Sequence, residues 1–203
     1  MTKKYEFTGE TKIVGGVTLK RIRALVAIMV SGVAAGDLGG WIETESNLSQ
    51  VYGNAWVYGN ARVYGDARVY GDARVYGDAR VYGNAWVYGD ARVYGDARVY
   101  GDARVYGNAW VYGNAWVYGD AWVYGNARVS IRIIIGTRSD GYTFLATPAK
   151  SGPPVIIAGC RYFTISEARK HWQDTRGGTP LGDESLALVD HLERMAKIQG
   201  WIK

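Results

Sequence analysis

Val51-Tyr-Gly-Asn-Ala-Trp56 is the first unit of a long tandem repeat. From Val51 to Arg128 this hexapeptide recurs thirteen times in tandem as V-Y-G-[N/D]-A-[R/W], so only two of its six positions vary. A period of six fits neither the 3.6-residue turn of an α-helix nor the two-residue alternation of an ordinary strand. It fits a β-solenoid whose coil has three flat sides of six residues each, and a repeat of this kind sets the architecture of the chain.

Each position of the hexapeptide has a predicted place in such a coil. We expect Val to point inward and to stack on the Val of the next coil, and Ala, two residues before the next Val, to fill an inner corner. Gly followed by Asn or Asp predicts a turn, because glycine adopts positive φ without strain. Tyr and the Arg or Trp position are expected to point outward. The sequence therefore predicts a mainly β protein, a parallel β-helix with three hexapeptides per coil.

Residues eighteen apart in such a coil share a face. The three rows of Arg and Trp are Trp56, Arg74, Arg92, Trp110 and Arg128; Arg62, Arg80, Arg98 and Trp116; and Arg68, Trp86, Arg104 and Trp122. Two interpretations stay open, since the Arg, Asp and Tyr rows can cover and neutralise one another or can form a flat binding surface. The second interpretation assigns a candidate binding face to Trp56, Arg74, Arg92, Trp110, Trp86, Trp116 and Trp122.

Charge and hydropathy exclude several kinds of partner. The 203-residue chain has a formal net charge of +5, and its repeat region carries eight Arg against seven Asp. No face is uniformly basic, which argues against nucleic acid as a partner. The low-polarity run from Ala24 to Ala35 is too short to cross a bilayer, so we expect no membrane association. A single Cys excludes a disulfide framework.

The regions on either side of the repeat differ from it in composition. Residues 1–50 are predicted to form an N-terminal cap and irregular first coils, with Trp41 and Ile42 closing the end before the repeat of 51–128. Residues 129–203 are predicted to form a small C-terminal α+β module, with strands over about 129–160 and helices over about 165–175 and 184–199. Thr164-Ile-Ser-Glu167 has the pattern of a capping box, and we expect Asp183 to cap the second helix.

Parts of the sequence resemble known families. In each repeat an aliphatic residue, Val, is followed four positions later by a small one, Ala. This pattern resembles the hexapeptide signature of left-handed parallel β-helices. In that family Gly usually occupies the second position of the repeat, where this chain has Tyr. Ala35-Gly-Asp-Leu-Gly-Gly-Trp-Ile-Glu43 and Asn47-Leu-Ser-Gln-Val-Tyr-Gly-Asn-Ala-Trp56 look like the start of hexapeptide-repeat proteins from tailed bacteriophages and prophages. The resemblance implies left-handed coils and a phage or prophage origin. Because Met1-Thr-Lys-Lys-Tyr-Glu6 lacks the apolar core of a signal peptide, we expect the protein in the cytoplasm of the bacterial host or in a virion.

The C-terminal region resembles a module of phage-encoded proteins. Ile134-Ile-Gly-Thr-Arg-Ser-Asp140, Gly159-Cys160 and Thr164-Ile-Ser-Glu167 carry this resemblance. Many of those relatives have Thr-His-Gly where this chain has Thr175-Arg-Gly177, so a role tied to that His does not transfer. The residues that this motif marks as a candidate site of the module are Arg138, Asp140, Cys160 and Arg161.

The chemistry of known left-handed β-helix enzymes is missing from the repeat. Many of these enzymes are trimeric acyltransferases, in which a His at the cleft between subunits is the general base. Carbonic anhydrases of the same fold bind zinc through three His. This repeat contains no His, Cys, Ser, Thr or Glu, and the two histidines, His171 and His191, lie on predicted helices. We expect each to be an ordinary surface or half-buried helical residue. Cys160 lacks an evident activating base. We therefore expect no enzyme activity, no cofactor and no metal.

The sequence thus predicts a non-enzymatic structural or interaction protein of phage type that acts through a rigid β-solenoid. Self-association into a homo-oligomer, a trimer or a filament, is the first interpretation, with trimers implied by the wider fold family. The alternative is a host-directed binding or inhibitor protein that holds a host protein against its Trp, Tyr and Arg faces. An acyltransferase-like enzyme is the least favoured alternative.

Overall fold

A computed structural model describes residues 3–130, 134–149, 153–159 and 161–202. The chain begins with three longer strands, β1 (Tyr5–Val14), β2 (Val17–Ala24) and β3 (Leu38–Ile42). Two-residue strands then recur every six residues: β4 (Trp56–Val57), β5 (Arg62–Val63), β6 (Arg68–Val69), β7 (Arg74–Val75), β8 (Arg80–Val81), β9 (Trp86–Val87), β10 (Arg92–Val93), β11 (Arg98–Val99), β12 (Arg104–Val105), β13 (Trp110–Val111), β14 (Trp116–Val117), β15 (Trp122–Val123) and β16 (Arg128–Val129).

These short strands form the three sides of a parallel β-solenoid. Each strand pairs in parallel with the strands eighteen residues before and after it, so that Arg92 lies between Arg74 and Trp110. Between residues 3 and 130, one side stacks β4, β7, β10, β13 and β16, a second stacks β5, β8, β11 and β14, and a third stacks β6, β9, β12 and β15. The predicted period of eighteen and the predicted membership of each face are therefore confirmed.

The interior of the solenoid is built from Val and Ala alone over most of its length. Val87 and Val93 are fully buried. Ala85 and Ala91, each two residues before one of these valines, are fully buried as well. Backbone hydrogen bonds join successive coils, for example from the Arg92 amide to the Ala109 carbonyl at 2.9 Å. The glycine of each repeat lies at positive φ, between 55° and 71°. Beyond the first hexapeptide, the inward and outward assignments are thus confirmed, as is the Gly turn.

The first hexapeptide departs from the prediction. Val51 is 56% exposed and Tyr52 76% exposed, although the repeat predicts an inward Val. Leu48 fills the inner position instead, since it is fully buried and forms a parallel bridge with Val69. The regular coils therefore begin at Ala55, and the residues between Leu48 and Ala55 turn outward.

The N-terminal strands close the first coil. β1 and β2 form an antiparallel hairpin, β2 pairs antiparallel with β3, and β3 pairs in parallel with β5, so the hairpin extends one solenoid side. Buried Tyr5, Ile22 and Ile42 join the Val and Ala core. Ile42 closes the end as predicted. Trp41 does not close the end, because it occupies the outward position beside Arg62. The Lys12 ammonium nitrogen lies 4.0 Å from the centroid of its ring.

The C-terminal module covers the other end. An antiparallel sheet of β17 (Ile134–Thr137), β18 (Thr143–Thr147), β19 (Val155–Ala158) and β20 (Arg161–Thr164) leads into helices α1 (Ile165–Arg176) and α2 (Pro180–Ile198). Leu145 and Ile157 join the solenoid core, whereas Phe144 and Ile156 on the opposite face pack against the helices. The sheet therefore separates the last coil from α1 and α2.

The predicted capping box and hairpin turn of the module are confirmed. The Thr164–Glu167 capping box is present, and the turn at Ser139-Asp-Gly141 joins β17 to β18. The prediction that Asp183 caps the second helix is wrong. Thr179 is the cap and accepts a hydrogen bond from the Gly182 amide, with Pro180 in the first turn, where its missing N–H costs nothing.

Candidate functional site

The candidate binding face lies on the sides of the solenoid, except for Trp56. Trp56 is 1% exposed. It lies edge-on to the Tyr5 ring, with centroids 6.2 Å apart, beneath the N-terminal cap. Gly39 leaves room for the indole, since a Cβ there would come within 2.8 Å of its ring. The assignment of Trp56 to an exposed face is therefore wrong, because the cap covers the outward position of the first coil.

Arg74 and Arg92 lie on the same side as Trp56, further along the solenoid. The Arg74 guanidinium donates to the Val30 carbonyl of the cap loop. Both arginines line a shallow hollow of about 250 Å³ together with Tyr58 and Tyr76. This hollow has cationic and aromatic walls, but one of its two arginines is already engaged by the cap.

The arginine and tryptophan side chains stack on one another along the rows. Trp110 lies between Arg92 and Arg128, whose guanidinium carbons are 4.9 and 4.1 Å from its ring centroid. The Arg98 guanidinium lies 4.7 Å from the ring centroid of Trp116. Such contacts stabilise exposed sites by about 0.5–1 kcal/mol each. The rows thus cover part of their own surface and leave the outer edges of the side chains accessible.

Tyrosine ladders run beside these rows. Tyr76 and Tyr94, for example, stack with centroids 4.7 Å apart and an interplanar angle of 1°. Partial burial in the ladder raises the pKa of Tyr76 above its ordinary value, and the neighbouring Tyr94 raises it further. Tyr76 therefore stays protonated and neutral at neutral pH and adds no negative charge to its side.

The third side has the most regular composition, and we name Arg68, Trp86, Arg104 and Trp122 the Arg–Trp face. The Arg104 guanidinium lies between two indoles, 5.2 Å from the Trp86 centroid and 5.0 Å from that of Trp122. A hollow of about 240 Å³ beside Arg68 and Trp86 marks one end of this face. Another, of about 280 Å³, lies at the other end between Trp122 and the module.

The structure brings three of the four candidate residues of the module together. Arg138, Asp140 and Arg161 line one open cleft of about 570 Å³ at the junction of β17, β20 and α1. Cys160, the fourth, lies outside the described residues. The motif therefore marks a real cleft, although the residues come from separate elements.

Arg138 is the buried centre of this cleft. Its Nε donates to Asp140 Oδ1 at 2.8 Å and its Nη1 to Ser185 Oγ at 3.0 Å. The Tyr142 and Trp172 rings flank the guanidinium at 4.9 and 5.7 Å. The hydrogen bond from Arg138 lowers the pKa of the Asp140 carboxyl to about 2, so Asp140 is ionised and pairs with Arg138 at neutral pH.

Sequence reasoning missed the α1 residues of the cleft: His171, Trp172, Thr175 and Arg176. His171 is half-buried, stacks on Phe163 with centroids 5.0 Å apart, and contacts the Arg161 guanidinium. Burial lowers the pKa of His171, and the Arg161 charge lowers it further. The signal in the sequence was the helical spacing, because positions four apart lie on one helix face. That face could be assigned to the cleft only after α1 had been docked on β20.

The described residues offer neither a metal site nor a membrane-spanning helix. Across the described residues, no three His, Cys, Asp or Glu side chains lie close enough together to hold a metal ion. Neither helix in that part of the chain has the length and apolar character needed to cross a membrane.

Comparison with known proteins agrees with the geometry of the solenoid. The YdcK beta solenoid repeat family matches overlapping segments that together run from 49 to 125, namely 49–65, 55–71, 61–75, 73–89, 85–101, 91–105, 97–113, 103–119 and 109–125. No curated protein matches the chain. The chain is a β-solenoid repeat protein that is similar, over its repeat region, to the YdcK beta solenoid repeat.

Proposed function

We propose that the protein is a non-enzymatic interaction protein of phage type that associates side to side with a second copy through its Arg–Trp face. The observation that carries the proposal is the order of residues along that face. From the N-terminal coil onward it alternates Arg68, Trp86, Arg104 and Trp122.

The two ends of the solenoid support association through its sides. An open coil edge offers unpaired backbone groups to another solenoid. Here β3 pairs with β5 at the first coil, and Leu145 and Ile157 of the module pack onto the core at the last. Filament growth by stacking coil on coil is therefore disfavoured, and the sides are the extended surfaces that the solenoid offers.

A two-fold axis between Trp86 and Arg104 makes the face complementary to itself. In an antiparallel pair of copies, Arg68 lies opposite Trp122 of the second copy, and Trp86 lies opposite Arg104 of the second copy. Every row then places an arginine against an indole, which is a favourable cation–π arrangement. Isologous contact of this kind gives a closed dimer.

The other two sides lack this complementarity. Antiparallel pairing of the side with Arg62, Arg80, Arg98 and Trp116 would set arginine against arginine in its two central rows. The side that begins with Trp56 loses that residue to the cap. The Arg–Trp face is therefore the one that pairs without like-charge contacts.

The size of the face sets the strength of the dimer. Four coils at about 4.8 Å per coil give a surface roughly 15–20 Å long. The four side chains of the face are also far fewer than the roughly 20–30 residues that each partner contributes to a stable complex. We therefore expect a reversible dimer that forms at micromolar concentrations and above.

A swap of two residue types within the repeat tests the pairing. Trp86→Arg sets arginine against Arg104 in both central rows and is expected to abolish the dimer in sedimentation equilibrium. The double variant W86R/R104W restores an arginine against an indole in every row and is expected to restore the dimer. Both variants place at each position a residue that other repeats already carry there, and a row of three stacked arginines already exists at Arg62, Arg80 and Arg98.

Circular dichroism of each variant provides the control for folding. Loss of the dimer in W86R together with its return in W86R/R104W supports the proposed pairing. A dimer that W86R leaves intact would overturn it. So would a folded double variant that stays monomeric while the unaltered chain dimerises.

A further inference from the structure

The cleft of the C-terminal module contains more cationic groups than its carboxylates neutralise. Arg138, Arg161 and Arg176 all line it, and Asp140 is its single acidic lining residue among those described. Arg138 and Asp140 are already paired. Arg161 and Arg176 are exposed, and neither belongs to an ion pair within the described part of the chain.

The acidic groups near the cleft are committed elsewhere. Glu184 accepts hydrogen bonds from the amide and the hydroxyl of Ser139, both at 2.7 Å. Asp174 pairs with Lys170 at 2.7 Å. The Arg161 guanidinium instead lies against the imidazole of His171, 3.1 Å from Nδ1. Two cationic side chains and an imidazole therefore face an open space whose lining carboxylate, Asp140, is already paired with Arg138.

We propose that this cleft binds the phosphate group of a small organic ligand, with Arg161 and Arg176 as its charged contacts and His171 as a further hydrogen-bonding group. Guanidinium groups match phosphate geometry through paired N–H donors. The proposal concerns a different surface from the Arg–Trp face and does not depend on dimer formation.

The charge of the cleft favours phosphate over carboxylate. Two uncompensated guanidiniums match a group that carries about −1.5 to −2 charges at neutral pH, as a phosphate monoester does. A carboxylate carries one charge and leaves one guanidinium unpaired. The volume of about 570 Å³ exceeds what a phosphate alone fills, and the walls include Tyr142 and Trp172. The remaining space therefore leaves room for an organic portion beside the phosphate.

Buried Arg138 gives the cleft a fixed base. Its guanidinium is held by Asp140 and Ser185 on two sides and lies between the Tyr142 and Trp172 rings. Since Ser185 belongs to α2 and Trp172 to α1, these contacts hold both helices against the β17–β18 turn. The cleft is therefore organised before a ligand enters.

The test is a titration of the full-length, ¹⁵N-labelled chain with inorganic phosphate at constant ionic strength, followed by amide chemical shifts. We expect saturable shifts confined to residues that line the cleft. Arg161→Ala and Arg176→Ala should each weaken binding by about tenfold or more, as expected for the loss of a charge-assisted contact. Arg194→Ala removes an exposed arginine of α2 outside the cleft and should leave the affinity unchanged.

Acetate in place of phosphate separates the two anion classes. Acetate that binds at least about tenfold more weakly supports the phosphate assignment, as one charge fewer is neutralised. Equal affinity for acetate and phosphate would overturn it. Shifts that fail to saturate, that are spread over the solenoid, or that persist unchanged in R161A and R176A would overturn the site itself.

Discussion

Side chains of the solenoid contact residues at the equivalent position of the next coil, whereas side chains of the C-terminal module contact unlike residues. In the solenoid each residue meets its own counterpart eighteen positions away, so Val87 stacks between Val69 and Val105 and Tyr76 stacks on Tyr94. In the module unlike residues meet, as where Arg138 contacts Ser185 and Trp172. Repetition builds a rigid support from few residue types, whereas a cleft with specific chemistry forms where the repetition ends.

The difference extends to how each region treats charge. Arg92 of the solenoid lies half-buried on its side and stacks on the Trp110 indole, while Arg138 of the module is 5% exposed and ion-paired. We therefore expect substitutions of the same type to have different costs in the two regions.

The largest effect is expected inside the solenoid. Val87→Asp places a carboxylate among fully buried Val and Ala side chains and should lower the free energy of unfolding by several kcal/mol. Asn114→Asp adds the same charge at an exposed turn position where other repeats carry Asp, and should cost less than about 1 kcal/mol. Urea denaturation measures both, and equal costs would show that the inward assignment is wrong.

A glycine pair separates backbone strain from coil stacking. Gly89 has φ of +66°, and a Cβ there would lie 2.9 Å from the Gly107 amide nitrogen of the next coil. Gly119 has φ of +60° with nothing within 4 Å of its Cβ position. Gly119→Ala should cost about 1–2 kcal/mol for the left-handed backbone. Gly89→Ala should cost at least about 1 kcal/mol more, because the next coil must shift. Equal losses of unfolding free energy in the two variants would show that the next coil shifts at no energetic cost.

Arginine substitutions compare the two regions directly. Arg138→Ala removes a buried guanidinium, its bond to Ser185 and its contacts with two rings, and should cost about 2 kcal/mol. Arg92→Ala removes a stacking contact with Trp110 at 4.9 Å and should cost well under about 1 kcal/mol. Thermal melts of the two variants check the order, and a larger loss in R92A would reverse the account of both regions.

The most gradual effect is a pH dependence that arises at the N-terminal cap, because it is spread over several pH units. Burial lowers the pKa of Lys4 to about 8, so the folded chain loses this proton before the unfolded chain does, and stability should rise with pH above 8. Burial raises the pKa of Tyr5, so its contribution is full below the ordinary tyrosine pKa of about 10 and is lost as pH rises further. Each group contributes a slope of about 1.4 kcal/mol per pH unit at most.

Urea denaturation between pH 7 and 11 should therefore show maximum stability near pH 10. Lys4→Met should reduce the rise without abolishing it, because burial also lowers the pKa of Lys12 to about 8. Tyr5→Phe should reduce the fall. A steady decline from pH 7 in the unaltered chain would contradict the burial of Lys4.

The solenoid could be predicted almost in full because its period carries the information locally. The Val and Ala positions, the three faces and the Gly turns all follow from six residues. The handedness of the coils is a separate matter, and its left-handed sense stays a prediction from the resemblance.

The first coil could not be predicted, because Leu48 and Val51 both suit the inner position. Contacts distant in sequence decide between them. Asn47 donates to the Gly65 and Ala67 carbonyls at 2.8 and 2.9 Å, and Tyr5 donates to the Leu48 carbonyl at 2.8 Å. These bonds fix Leu48 inside and leave Val51 outside.

The motif marked candidate residues of the module, but the sequence predicted no cleft. Arg138, Asp140 and Arg161 were marked, but His171 and Arg176 reach the same space only because α1 docks against β20. Thr179-Pro180 has the pattern of a helix start, since Thr is a common cap and Pro is common at the first helical position. The prediction placed the cap at Asp183 instead.

The central claim is that the capped solenoid forms a closed, antiparallel dimer through one side. Light scattering coupled to size exclusion, over a series of protein concentrations, tests it most directly. We predict a mass that rises from one copy to two and then stays constant. A mass that continues to grow, a stable trimer, or a monomer at every concentration would contradict the account.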